Sequence, residues 1–217
     1  MAETSLARGY VFATMIIVIW TGFILVARLG GIGHLTPFDV VAVRMITASA
    51  LVLPLWLYSG RYRRFDRRMI VLTLTGGLGY TLFVFSAFHL APAAHAGILL
   101  SGLQPLAMAF CAWAVTGERP TSQRLVGIGV IVLGAGVLGM TVLQGGASSW
   151  AGDLLFIGAA FCWALYTVLA RKWEVSPWVV TVNVALLASL AYLPVYVLAL
   201  PKQLALASFG EIALQAL

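Results

Sequence analysis

Long apolar runs broken by short polar gaps set the rhythm of the chain. Seven stretches of about twenty mostly apolar residues, each enough to cross roughly 30 Å of hydrocarbon as helix, occupy residues 10–29, 38–58, 69–90, 94–116, 124–143, 151–171 and 178–200. An eighth is expected to begin near Glu211. The gaps are short, so consecutive spans run as antiparallel neighbours and the predicted fold class is all-α, a polytopic transmembrane helical bundle. Pro37 and Pro177 open spans two and seven, at a first helical turn where a missing N–H costs nothing. Pro54 and Pro194 fall late in the same spans, where each frees a carbonyl four residues back.

The pattern also repeats itself. Gly9, Trp20, Ala27 and Arg28 recur 143 residues later as Gly152, Trp163, Ala170 and Arg171. In the next span Pro37, Val40, Ala48, Ser49, Leu53 and Pro54 recur at an offset of 140 as Pro177, Val180, Ala188, Ser189, Leu193 and Pro194. Ten of 38 aligned positions are identical, against roughly three or four expected of a composition dominated by a few apolar residue types. A unit of five spans reverses its orientation when duplicated, which predicts inverted five-helix repeats at 8–143 and 151–217. The second is expected to be truncated, with seven spans present where ten would complete it. Inverted repeats characterise secondary transporters, whose solute sites lie near the bilayer midplane.

Composition removes other classes. The chain is 62% hydrophobic and 9% charged, far below the charge of a soluble domain. A net charge of +6 would suggest a nucleic-acid partner in a soluble protein, but here the basic residues follow topology. With the N-terminus cytoplasmic, ten of the thirteen face inward: Arg8, Arg61, Arg63, Arg64, Arg67, Arg68, Arg119, Arg124, Arg171 and Lys172. That predicts a multi-pass protein of the inner (plasma) membrane with lipid, rather than nucleic acid, around it. The first apolar stretch is longer than a signal-peptide core, so it reads as a retained helix. Cys111 and Cys162 fall inside spans and behave as small apolar residues.

Candidate chemistry centres on side chains at mid-depth. Trp20 and Trp163 sit near the middle of their spans, away from the interfaces where Trp normally lies, and repeat symmetry would set them on opposite walls of one site. Packing between helices would explain them as well. On span four, Gly97, Ser101, Gln104, Met108 and Cys111 share a helical face expected to look inward. On span three, Tyr80, Val84 and Ala87 share a face with Phe83 beside it, and Tyr166 lies one turn from Trp163. The substrate-binding set is therefore Trp20, Tyr80, Phe83, Ser101, Gln104, Trp163 and Tyr166, an aromatic, largely uncharged pocket suited to an amphipathic neutral or zwitterionic solute. Arg44 is the one cation well inside a span, a functional charge by default unless it snorkels to the interface. Asp39, five residues away, is poorly spaced to pair with it. His89 and His95 are expected on an exposed turn between spans three and four, with no third ligand for a metal. Span five is glycine-rich, at Gly127, Gly129, Gly134, Gly136 and Gly139, for close packing within the chain or in a homodimer.

Several of these pieces together resemble the EamA-type transporters of the drug/metabolite transporter superfamily. The resemblance rests on Gly79, Tyr80 and Phe83, then Ala87 with Ala91-Pro92-Ala93, then Gln104-Pro105. It continues through Gly117-Glu118-Arg119-Pro120 with Gly127 and Gly134, and through Pro37 followed seven residues later by Arg44. It implies a ten-span exporter of amino acids or related metabolites, with a central cavity lined mainly by spans one, three, four and six and their repeat partners. No cofactor is implied. The expected function is thus a permease working by alternating access, with a seven-span receptor as the alternative. A retinal protein is excluded because span seven holds no lysine for a Schiff base. An enzyme is not expected, since no nucleophile and base occur at matching depth.

Overall fold

The computed structural model describes residues 2–142 and 149–216, and these fold into an all-helical bundle. Helices α1 (Ala2–Ile32), α2 (Pro37–Tyr58), α3 (Arg67–Leu90), α4 (Ala93–Thr116), α5 (Ser122–Val142), α6 (Trp150–Lys172) and α7 (Pro177–Ala199) correspond to the seven apolar runs. Six are long and apolar enough to cross a membrane, and α5 carries a shorter apolar stretch, Ser122–Val137. A short helix α8 (Phe209–Ala216) starts where the eighth run was expected. The limit of span five at residue 143 lies outside the described residues.

Local signals place the helix ends. Thr36 and Asp39 form a reciprocal capping box at the start of α2, with Pro37 in the first turn. Asp66 caps α3 by accepting from the Met69 N–H at 2.9 Å. That bond, together with the Arg64 guanidinium 2.8 Å away, holds the Asp66 carboxyl below the usual carboxylate range. Gly117 adopts a left-handed backbone at φ 74° and ends α4, its N–H returning to Trp113 O. Ser208 and Glu211 repeat the reciprocal cap at α8: the Ser208 N–H reaches Glu211 Oε2 at 2.8 Å while the Glu211 N–H reaches Ser208 Oγ.

Two stretches depart from the α-helix. Thr73–Gly79 of α3 and Ala96–Gly102 of α4 are π-helical, with one extra residue per turn. The change of phase in α4 corrects the expected inward face. Gly97 and Ser101 are exposed, while His95, Ala96, Leu100, Ala107, Ala109 and Cys111 are the buried positions. A strict 3.6-residue wheel fails within the widened turn, whereas beyond it Cys111 is buried and Gln104 and Met108 are half-buried, as the spacing predicts.

The core is built around α3 and α6, with Phe88 and Phe156 fully buried and edge to face at 5.0 Å. Gly152 permits the close approach: a Cβ there would stand 2.7 Å from Ala91 Cβ. Helices α2 and α7 form a second seam. Tyr196 donates to Asp39, Ser189 to Met45 O and Ser49 to Ala185 O, so the numbers rise along one helix as they fall along the other. The pair is antiparallel. On α5, Gly127, Gly129, Gly134 and Gly136 have nothing within 4 Å of where a Cβ would stand. Close packing of those four glycines within the chain is thus not what the described residues show.

Candidate functional site

A cavity of about 370 Å³ opens between α2, α3, α6 and α7, bordered also by Phe23 of α1 and Ala216 of α8. Its walls come from the α2–α7 seam, through Arg44, Met45, Ala48, Val184, Ala185 and Ala188, and from the π-helical turn of α3, through Gly76 and Gly77. Those glycines are required by proximity. A Cβ at Gly76 would overlap the Tyr166 ring at 2.3 Å, and one at Gly77 would stand 3.0 Å from Val184.

Beside this cavity runs a continuous arc of rings. Phe85 meets Phe23 at 6.1 Å, Phe23 meets Trp20 at 6.0 Å, and Trp20 meets Trp163 edge to face at 5.9 Å. Trp163 in turn contacts Tyr80 at 4.9 Å and Tyr166 at 5.3 Å. Four of the expected binding residues, Trp20, Tyr80, Trp163 and Tyr166, are thereby brought together. The two tryptophans touch, edge to face, rather than face each other across open space.

The other three lie elsewhere. Phe83 is 38% exposed and packs on Gly158 of α6. Ser101 is exposed, for the reason of phase given above. Gln104 is half-buried, and its Nε2 is buried without a hydrogen-bond partner among the described residues. None of the three borders the cavity.

Arg44 stands at the cavity wall. Its guanidinium carbon lies 5.3 Å from the Phe23 ring centre and 5.1 Å from that of Phe85, within the range of cation–π attraction. It therefore stays among the rings and does not snorkel away. Asp39 does not pair with it: that carboxylate is buried and occupied by Tyr196 Oη, the Thr36 N–H and hydroxyl, and the Gln203 N–H. Arg28, by contrast, is satisfied by backbone, donating to the Phe88 and Ala91 carbonyls at the end of α3.

One residue departs from its expected surface position. His95 is 1% exposed, and its Nδ1 lies 2.6 Å from Asp153 Oδ1 in the first turn of α6. The partners are 58 residues apart, so no local spacing announces them. The nearest signal was a carboxylate next to Gly152 at the head of an apolar run. Among the described residues no cluster of three potential metal ligands occurs.

Known proteins share this architecture. One protein of known crystal structure superposes with a TM-score of 0.63 and 25% identity, over 90% of this chain and 71% of its own. An uncharacterized transporter of Bacillus subtilis, YyaM, is 28% identical over 152 residues, 65% of this chain and 48% of that protein. A probable amino-acid metabolite efflux pump of Salmonella typhimurium is 28% identical over 167 residues, 74% of this chain and 52% of that protein. The chain spans about half the length of these relatives. Residues 7–140 match the EamA-like transporter family, and with six helices able to cross a membrane and an aromatic-lined cavity between them, the chain is a multi-pass membrane protein that belongs to that family.

Proposed function

We propose that the chain forms part of a secondary transporter that moves small amphipathic metabolites, amino acids or their relatives, across the inner membrane. The N-terminus is cytoplasmic in this reading, and residues 8–143 and 151–217 act as opposed repeats that rock about a midplane site. The observation that carries it is the meeting of Trp20 with Trp163 at 5.9 Å, residues equivalent in the two copies, beside a cavity at the seam of a second equivalent pair, α2 and α7. Their antiparallel course supports an inverted duplication. The printed name of the Salmonella relative supports amino-acid metabolites as the solute class.

Solute flux tests it. Trp163→Ala removes the ring that joins Trp20, Tyr80 and Tyr166, and is expected to lower efflux of amino-acid metabolites at least tenfold with the protein still in the membrane. Unchanged flux in that variant would remove the site, and absence of flux from the longest in-frame product would remove the transporter reading itself.

A further inference from the structure

We infer that Arg44 is the recognition group for a carboxylate or similar oxyanion on the solute, so that the cavity selects small organic acids whether or not they carry an amine. The inference rests on the transporter reading only for its consequence in flux; the anion site stands or falls by binding.

An arginine is always charged, and taking its guanidinium out of water without a counter-charge is costly. At Arg44 the compensation is incomplete. The faces of Phe23 and Phe85 supply cation–π attraction, worth about 0.5–2 kcal/mol. Yet its Nε is buried with no hydrogen-bond partner among the described residues. Among the described residues no Asp or Glu borders the cavity, and Asp39 has already committed both oxygens. A cation retained among rings at a cavity wall, with no carboxylate on that wall to neutralise it, is matched by an anionic ligand.

The cavity is polarised in a way that orients such a ligand. Position 184 is the repeat equivalent of position 44 and borders the same cavity, but it is valine. The cavity is thus charged where Arg44 lies between Phe23 and Phe85 and apolar where Val184 and Tyr166 pack on Gly77 and Gly76. A carboxylate lies against Arg44 and an apolar or aromatic body extends toward Val184. Nothing anionic on the walls meets an ammonium group, so a 2-oxo or 2-hydroxy acid fits as well as the corresponding amino acid.

The purified full chain in detergent tests this, with the fluorescence of its seven tryptophans, Trp20 and Trp163 among them, as the readout. The probes are phenylalanine, phenylpyruvate, phenylalanine amide and phenethylamine. Expected is saturable quenching by the two carboxylates, weakened about ten- to hundredfold in Arg44→Gln, since a charge-assisted hydrogen bond of about 1.5–3 kcal/mol is lost. Arg44→Lys, which keeps the charge and loses the fork, should fall between and controls for misfolding of the Gln variant. Equal binding of the amide and the acid, unaltered binding in a folded Arg44→Gln protein, or no saturable binding of either carboxylate would each overturn the assignment. Arg44-dependent binding without flux would instead leave the anion site in place and remove the transporter reading.

Discussion

Helices α2 and α7 repeat one another in sequence, and the residues they share do different work from the residues they do not. The shared ones lie along the seam: Ser49 meets Ser189 at 2.6 Å, and Ala48 and Ala188 border the same cavity. The unshared ones carry the polar chemistry. Asp39 is matched by Val179 and Arg44 by Val184, so α2 holds a buried carboxylate and a half-buried cation where α7 holds two valines. The duplicated part preserves how the helices meet, and the divergent part makes one side of the cavity unlike the other.

The strongest way to break that comparison is at its carboxylate. Asp39→Ala strands the Tyr196 hydroxyl and the Gln203 and Thr36 N–H groups, and should cost about 2–4 kcal/mol. Val179→Ala at the equivalent place should cost less than about 1.5 kcal/mol. Thermal unfolding in detergent measures both, and equal losses would show that the network around Asp39 adds nothing to stability.

The serine pair sharpens the comparison at lower cost. Ser189 Oγ lies 2.9 Å from both Met45 O and Ala185 O, whereas Ser49 Oγ reaches Ala185 O at 3.2 Å. Ser189→Ala therefore loses the hydroxyl link to Met45 O while the Tyr192 bond to Phe38 O remains, and should cost about 1 kcal/mol. Ser49→Ala leaves the Met45 bond intact and should cost about half as much. A reversed order would mean that the two hydroxyls share their protons differently.

The smallest effect concerns α8. Glu211 is held down to about 2 by the Ser208 N–H first and by the His34 N–H and ring next, below an ordinary value of 4.5. A depressed carboxyl stabilises above its unfolded value and loses that contribution as pH falls toward its folded one. Docking of α8 against His34 should loosen between pH 4.5 and 2. A nitroxide placed by Ala213→Cys should gain mobility across that window, and constant mobility would show that the cap does not hold the helix.

Much of this was legible in the chain. The lengths of the apolar runs gave the helices, and the duplicated Trp pair pointed to one shared site, although the two rings meet where opposite walls were expected. Three things were not. The π-helical turns of α3 and α4 shift the helical phase, so Ser101 faces outward although its spacing from Gln104 suggests otherwise. The His95–Asp153 pair joins two helices across 58 residues, and its identity depends on packing that no periodicity encodes. Arg44 was visible as a charge, but the rings of Phe23 and Phe85 that keep it from the interface come from two other helices.

The Tyr166 ring occupies the volume that any side chain at position 76 would need. The two positions are thus one steric choice made on separate helices: a methyl at 76 requires a smaller or displaced residue at 166. Relatives that enlarge the first should shrink the second, and the width of the cavity where α3 meets α6 is set by the two together.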